Sequence, residues 1–203
     1  TGACATREFL EKAVKFCIEN DILLVSDMAY GEVCFEDYRP MSIFSIEGAE
    51  DIALEVHTCS KTFNMAGWRV GFVVGKKELV DHVFAMKVNF DYGTSTIMQD
   101  AAIAAMKMPY KYVAKTMTKE MQDLGWRVNK SNATMYLWLK VPNGLKSKEF
   151  CSMVMNKTGV VFTPGIAFGN GSDNYFRLSL VQNEKRLKEA IKRLKEANIR
   201  YEK

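Results

Sequence analysis

The most informative segment of the chain lies between two apolar runs that are typical of strands: Thr58-Cys59-Ser60-Lys61-Thr62-Phe63-Asn64-Met65-Ala66-Gly67-Trp68-Arg69-Val70-Gly71-Phe72. Lys61 is flanked by hydroxyl side chains, and Arg69 follows eight residues later among glycines. A lysine amine can form a Schiff base with an aldehyde cofactor. Hydroxyls and a two-pronged guanidinium suit a phosphate on the same cofactor. A lysine in a polar loop is more often a surface residue without a special role. Together with the motifs in the rest of the chain, however, this stretch predicts a cofactor bound at Lys61, with Thr58, Ser60 and Arg69 holding its phosphate.

A second motif comes earlier in the chain. The run Ile22-Leu23-Leu24-Val25 is typical of a buried parallel strand, and Ser26-Asp27-Met28-Ala29-Tyr30 places polar side chains at its carboxyl end. Open α/β sheets bind ligands at that end of their strands. An isolated aspartate at this position would more often cap a turn. The lysine stretch downstream is what favours a functional interpretation of Asp27.

Two further motifs lie near the C terminus. The first is a loop punctuated by proline and glycine, Thr163-Pro164-Gly165-Ile166-Ala167-Phe168-Gly169. The second alternates into a short strand, Asn174-Tyr175-Phe176-Arg177-Leu178-Ser179-Leu180. Arg177 lies near the start of that strand. A lone strand arginine is commonly exposed without a specific partner, so the preceding loop is what makes this pattern informative.

Together these separated motifs resemble the fold type I pyridoxal-phosphate enzymes, and specifically the class I and II aminotransferases. The lysine stretch is most similar to the subgroup that contains LL-diaminopimelate and alanine- or aspartate-type aminotransferases. Thr58 stands where serine is usual and keeps the hydroxyl, and Cys59 fills a variable position. The resemblance extends along essentially the whole chain. It implies an α/β fold, with the C-terminal part of a large domain whose sheet is mainly parallel, followed by an α+β small domain.

The resemblance also implies the catalytic residues. Lys61 is expected to bind pyridoxal 5'-phosphate as a Schiff base and then to act as the proton-transferring base. Asp27 is expected to face the pyridine nitrogen of the cofactor, and Tyr30 its phenolic oxygen. A carboxylate beside the ring nitrogen favours the pyridinium form, which withdraws electrons from the carbanion of the substrate.

The remaining site residues are expected to bind anionic groups. By the same resemblance, Thr58, Ser60 and Arg69 hold the cofactor phosphate. Arg177 grips the α-carboxylate of an amino acid or 2-oxo acid through charge-assisted hydrogen bonds that contribute roughly 1.5–3 kcal/mol each. The parent protein is expected to be a homodimeric transaminase.

Composition excludes several other classes of protein. The 203 residues carry a net charge of +4 without a basic stripe among aromatics, so the sequence predicts no nucleic-acid binding. Neither a membrane-length apolar run nor a signal peptide is visible, which predicts no membrane association. The five cysteines lack Cys-x-x-Cys spacing, which favours a reducing cytoplasm. His57 and His82 stand apart, so no metal site is predicted.

Hydrophobic periodicity predicts the order of the elements. The lysine-bearing part begins with a helix that Thr6 caps and that ends near Asn20. Strands are predicted over 22–27, 52–57, 70–75, 135–140, 160–163 and 175–181. Further helices are predicted over 76–90, 95–107, 110–127 and 148–157 and at the C terminus. The turn-rich sequence before Gly93 predicts a large-domain part over 1–93 and a small domain over 94–203.

The resemblance covers on the order of the C-terminal half of a complete family member. Thr1-Gly2 would fall within the Asn-Pro-Thr-Gly motif of the family, whose asparagine binds the phenolic oxygen of the cofactor. That asparagine, the aromatic that stacks on the ring and a second phosphate loop lie outside this chain. We therefore expect the 203 residues alone to self-associate, to bind the cofactor weakly and to show no transamination.

Two alternative functions remain open. Carbon–sulfur lyases share the fold and the lysine but often depart from the Gly-Trp-Arg sequence, so Arg69 in that context favours transamination. A transaminase-like regulatory module that senses the cofactor or an amino acid would need a DNA-binding region outside these residues. The substrate is also open, among aspartate, alanine, an aromatic amino acid and LL-diaminopimelate.

Overall fold

The structure is a computed structural model that describes residues 1–35, 38–108, 118–128, 132–142 and 144–201. Its helices are α1 (Arg7–Glu19), α2 (Ala49–Ile52), α3 (Cys59–Thr62), α4 (Lys77–Asp91), α5 (Thr96–Lys107), α6 (Thr118–Asp123), α7 (Ser147–Thr158) and α8 (Glu184–Glu196). Its strands are β1 (Leu24–Asp27), β2 (Ala53–Thr58), β3 (Gly71–Gly75), β4 (Tyr136–Lys140), β5 (Thr163–Pro164) and β6 (Tyr175–Ser179). This mixture of helices and strands confirms the predicted α/β class.

Contacts within the chain divide it into two compact units. The lysine unit is Cys4–Tyr112, and the arginine unit joins Thr1–Ala3 to Val113–Lys203. The lysine unit includes α5, whereas the sequence-based division assigns α5 to the small domain. The units reflect contacts within this chain alone, so the domain boundary near Gly93 stays a prediction for the parent protein.

The sheet of the lysine unit has the strand order β1-β2-β3. β1 and β2 are parallel, with Asp27 opposite Val56, and the crossover between them includes the described residues 28–35 and 38–52. β3 is antiparallel to β2. The lysine stretch returns the chain directly, without the crossover that a parallel neighbour requires. β3 is therefore the antiparallel strand of this sheet, whose other described pairing is parallel.

Two hydrophobic clusters hold the lysine unit together. Thr6 caps α1 as predicted, because its hydroxyl accepts the N–H of Phe9 at 3.2 Å. Val14 of α1 then packs in a cluster with residues of the crossover and of β2: Ile43, Ile46, Ala49 and Ala53. A second cluster joins the lysine stretch to α5 through Cys59, Met65, Val70, Ala102 and Ala105. The lysine stretch is thus anchored on a helix as well as on the sheet.

A buried carboxylate links the crossover to β2. Glu55 is only 4% exposed, and its Oε2 accepts both the hydroxyl of Ser42 and the N–H of Ile43 at 2.9 Å. Its Oε1 lies 2.9 Å from His57 Nε2, and the His57 ring stacks on Phe72 of β3. These contacts fix the crossover against the strand that leads into the lysine stretch.

The arginine unit is built on an antiparallel sheet with the order β4-β6-β5. Alternation along β6 buries Phe176 completely against Phe150 of α7, with ring centroids 5.1 Å apart. Arg177 therefore projects from the opposite face, where Trp138 of β4 is its cross-strand neighbour. The strand thus separates the core of this unit from its candidate site.

Element boundaries differ from the predicted ones mainly at apolar runs. β1 begins at Leu24 rather than at residue 22. β5 is confined to Thr163–Pro164, where it pairs with Arg177 and Phe176, and the predicted strand 160–162 has no partner strand in the described ranges. Of the helix predicted over 110–127, the segment 118–123 is helical, and 110–117 lies outside the described residues.

Several large apolar side chains of the lysine unit are exposed. On and after α4, Phe84, Met86, Phe90 and Tyr92 are 65%, 72%, 87% and 93% exposed. β1 pairs only with β2 within the described part of the chain, which leaves one strand edge open. Exposed apolar patches of this kind mark interaction surfaces. No described helix is both long and apolar enough to cross a membrane.

Candidate active site

The carboxyl end of β1 presents Asp27 and Tyr30. The exposed Asp27 carboxylate accepts the N–H of Ala29 at 3.0 Å through Oδ1, and the N–H of Met28 donates to Val56 O at 2.8 Å. The first bond turns the chain immediately after the strand, and the second keeps that turn attached to β2. Tyr30 is half-buried at the end of the turn. Both predicted side chains therefore follow the carboxyl end of a parallel strand.

A hydrogen-bonded loop at the end of β2 positions Lys61. The Thr58 hydroxyl accepts the N–H of Ser60 at 3.1 Å, which caps α3. The same hydroxyl donates to the carbonyl of Val70 at 3.2 Å, and the N–H of Cys59 donates to that carbonyl at 3.0 Å. The two ends of the lysine stretch are thereby tied together, and α3 carries Lys61 in a half-buried position.

The loops after β1 and β2 meet at the lysine. Lys61 Nζ lies 5.9 Å from the centroid of the Tyr30 ring, within cation–π range. The amine of Lys61 and the phenol ring of Tyr30 thus lie near each other after adjacent parallel strands, and Asp27 is the last residue of the first of these strands.

Arg69 lies on the exposed side of the same stretch. Its backbone is left-handed, with φ at 54°, and one of its terminal nitrogens donates to Ala66 O at 2.9 Å. Gly71 follows where a Cβ would lie 2.6 Å from His57 O, so only glycine lets β3 approach β2 so closely. The Thr58 hydroxyl already has a donor and an acceptor within the loop, so phosphate binding by Thr58 would require that hydroxyl to rotate.

The arginine unit presents Arg177 against two aromatic rings. Its guanidinium carbon lies 4.1 Å from the Tyr136 ring centroid and 4.5 Å from that of Phe168. Its Nε is buried and has no hydrogen-bond partner among the described residues. A buried guanidinium nitrogen without a partner is a donor available to an anion.

Sequence reasoning missed the aromatic neighbours of Arg177. Phe168 belongs to the loop motif, but nothing in that motif shows which side chain its ring would contact. Tyr136 is two residues from Trp138 on β4, so strand alternation places both on the Arg177 face once the register is known. The missing signal was the pairing of β4 with β6. No group of three or more described His, Cys, Asp and Glu side chains is arranged to hold a metal ion.

Comparison with known proteins defines the class to which the chain belongs. The profile of the family "Aminotransferase class I and II" matches residues 1–194. The chain therefore belongs to the class I and II aminotransferases, as the sequence motifs predict.

Individual relatives agree with this assignment. The chain is 41% identical to LL-diaminopimelate aminotransferase 2 of Trichormus variabilis, over 99% of this chain and 54% of that protein. It is 38% identical to the glutamate-pyruvate aminotransferase AlaC of Escherichia coli, over 96% of this chain and 50% of that protein. The fold matches a substrate-bound BacF structure from Bacillus subtilis with a TM-score of 0.90 and 32% identity, over 99% of this chain and 54% of that one. The chain thus spans about half the length of these relatives.

Proposed function

We propose that the full-length protein is a pyridoxal-phosphate-dependent aminotransferase that moves an amino group between an amino acid and a 2-oxo acid. The observation that carries the proposal is the grouping of Lys61 with Tyr30, 5.9 Å from amine to ring centroid, after two adjacent parallel strands. In a class I and II aminotransferase chain, an amine and a phenol in this position favour chemistry on an aldehyde cofactor.

The residues of the lysine unit fit pyridoxal phosphate. The cofactor supplies an aldehyde and an electron-withdrawing ring when it is bound. The Lys61 amine suits the aldehyde, the exposed Asp27 carboxylate suits the ring nitrogen, and the Tyr30 hydroxyl suits the phenolic oxygen. For the phosphate, the chain offers the Ser60 hydroxyl and the exposed guanidinium of Arg69, with Thr58 as a further hydroxyl. Each donor or acceptor matches one polar group of the cofactor.

Lys61 has two tasks in this proposal. Its amine holds the cofactor before the substrate arrives, and after release it must be neutral to accept a proton from the substrate α-carbon. Positioned acid–base groups of this kind accelerate reactions by roughly 10²- to 10⁴-fold. The hydrogen bonds of Thr58 and Cys59 to Val70 O support this role, because they limit the positions that α3 can take.

Arg177 binds the substrate carboxylate in this proposal. Its buried Nε without a described partner supports the assignment, because a carboxylate would satisfy that donor. Two-point binding also orients the substrate, which limits reaction to α-amino acids and 2-oxo acids. The names of the relatives make LL-diaminopimelate, glutamate and alanine the first donors to test.

One experiment separates this function from the alternatives. The full-length protein is incubated with pyridoxal phosphate, each candidate amino acid and 2-oxoglutarate. A transaminase forms glutamate, a carbon–sulfur lyase forms ammonia and a thiol from a cysteine-type substrate, and a ligand-sensing module forms neither. Both curated relatives carry aminotransferase names, so they support transamination and give no support to the lyase. Ammonia and thiol without glutamate would overturn the proposal.

We also propose that the parent is a cytoplasmic homodimer. No disulfide joins any of the five cysteines, all of which the structure describes, in agreement with a reducing compartment. The exposed rings of Phe84, Phe90 and Tyr92 need cover from other parts of the parent or from a second subunit. Sedimentation analysis of the full-length protein tests the dimer, and a monomer at micromolar concentration would contradict it.

A further inference from the structure

A partly buried hydrogen-bond cluster joins α7 to the loop around Asp173. Ser147, the first residue of α7, is 0% exposed. Its hydroxyl donates to Asp173 Oδ1 at 2.7 Å, and its N–H donates to Asp173 O at 2.8 Å and to Oδ1 at 3.2 Å. The N-cap residue Lys146 provides no side-chain cap, so the carboxylate of Asp173 takes over that task for α7.

The cluster keeps the Asp173 carboxylate ionised. The hydrogen bond from the Ser147 hydroxyl holds the pKa of Asp173 below its ordinary value, against the opposing effect of burial. The Lys146 amine, 3.5 Å from Asp173 Oδ2, acts in the same direction. An ionised acceptor makes the hydrogen bonds to Ser147 charge-assisted, and such bonds are the stronger ones.

The same serine holds the turn that ends at Phe168. The Ser147 oxygen accepts the N–H of Ile166 at 3.2 Å, and Ile166 lies in the 3-10 turn Gly165–Phe168. A Cβ on Gly165 would lie 2.0 Å from Ser172 O and 2.5 Å from Tyr175 O. The turn is therefore packed tightly against the segment that leads into β6, and it has little freedom to move independently.

Phe168, the last residue of this turn, contacts the guanidinium of Arg177, so a fixed turn also restricts the position of Arg177. Its ring centroid lies 4.5 Å from the guanidinium carbon of Arg177 and 5.5 Å from the Trp138 ring, which it meets edge-on. Tyr136 contacts the same guanidinium at 4.1 Å. Contacts with two ring faces leave the edges of the guanidinium, where its N–H groups lie, for an anionic ligand.

From these contacts we propose that Ser147 and Asp173 are positioning residues, which fix the orientation of Arg177 through the turn that carries Phe168. The proposal rests on the function proposed above for Arg177, binding of the substrate carboxylate. It assigns specificity for carboxylate substrates to a cluster that touches neither the substrate nor Arg177 itself. Loosening the turn should therefore weaken recognition of the carboxylate and leave cofactor binding unchanged.

The test uses the full-length holoenzyme and the variants Ser147→Ala and Asp173→Ala. The kcat/KM for the best amino acid donor is compared with that for the primary amine that lacks its carboxylate. The ratio of the two measures carboxylate recognition alone. We expect it to fall on the order of tenfold or more, mainly through KM for the amino acid, because small misplacements of a binding group cost this much. Asp173→Asn, which keeps the acceptor oxygen, should restore most of the ratio.

The matched control is Thr158→Val at the other end of α7. The Thr158 hydroxyl is also buried, donates to Val154 O at 2.7 Å and accepts the N–H of Val160 at 3.1 Å. Neither of these hydrogen bonds involves the turn Gly165–Phe168, so the loss of the Thr158 hydroxyl should lower thermal stability without changing the ratio. If Ser147→Ala fails to fold, Phe168→Leu and Asp173→Ala provide the same measurement.

The possible results separate the positioning role of Ser147 and Asp173 from the proposed function of the protein. If an active transaminase keeps the wild-type ratio in Ser147→Ala, Asp173→Ala and Phe168→Leu, the positioning role alone is overturned. If the ratio falls by the same amount in Thr158→Val, the effect is a general consequence of destabilising α7, and the positioning role is overturned as well. A wild-type protein that transaminates nothing and binds no simple carboxylate, such as 2-oxoglutarate, refutes the proposed function and this inference together.

Discussion

Replacement of Arg177 by methionine should separate activity from stability. The arginine is predicted to donate two hydrogen bonds to the substrate carboxylate, and their loss costs about 3–6 kcal/mol, or roughly 10²- to 10⁴-fold in kcat/KM. Its buried Nε lacks a described partner, and such a donor costs about 1–3 kcal/mol of stability. The cation–π contacts of Arg177 with the two aromatic rings stabilise the folded state by about 0.5–2 kcal/mol each. The cost of the unpaired Nε and the gain from the ring contacts nearly cancel, so Arg177 should contribute little to the free energy of unfolding.

Methionine should keep much of this packing, because its sulfur also packs favourably on aromatic rings, by about 0.3–1.5 kcal/mol. We therefore expect the variant to unfold within about 4 °C of the wild type, while its kcat/KM collapses. The assays are glutamate formation and thermal unfolding at saturating cofactor. Arg177→Lys is the control, since it keeps the charge without the two-point geometry and should retain intermediate activity. If Arg177→Met instead unfolds at a much lower temperature, and its kcat/KM falls only as far as the loss of folded protein explains, Arg177 is a structural residue.

Four further predictions concern the lysine unit and the cysteines. Lys61→Ala should abolish the Schiff-base absorbance and lower turnover by several orders of magnitude. Borohydride reduction of the wild type followed by peptide mapping should find the cofactor attached to Lys61, and attachment to another residue contradicts the assignment. Arg69→Ala should weaken cofactor binding in a titration where Arg177→Ala does not, because only Arg69 is expected to neutralise the phosphate; equal losses would refute that division. Glu55→Ala should lower the free energy of unfolding by about 2–5 kcal/mol, because two donors and His57 lose their acceptor, whereas Glu55→Gln should cost less; equal urea midpoints would refute this. Burial raises the pKa of Cys151 to about 11, so iodoacetamide at pH 8 should not alkylate Cys151 in the folded protein. The stability that the buried, protonated thiol contributes should be lost only as pH rises from about 9 towards 11. Rapid labelling of Cys151 at pH 8, detected by mass spectrometry, contradicts this.

The sequence determined the local features of this protein. Thr6 caps α1 where the pattern predicts a helix start, and apolar runs gave β2 and β3 to within one residue. Such features depend on neighbours within a few positions, so they can be read from periodicity and side-chain chemistry. The lysine stretch indicated the family for the same reason, since its hydroxyls, amine and arginine lie within one short segment.

Tertiary structure alone decided which distant side chains meet. Ser147 and Asp173 are separated by 26 residues, and no local pattern links a helix start to a loop that far along the chain. The contacts of Arg177 with Tyr136 and Phe168 depend on the register of β4 and β6 and on a turn held by Ser147. The buried acceptor at Glu55 likewise requires the crossover to return to β2. Sequence periodicity specifies which face of an element is apolar, whereas the partner of that face is chosen only when the chain packs.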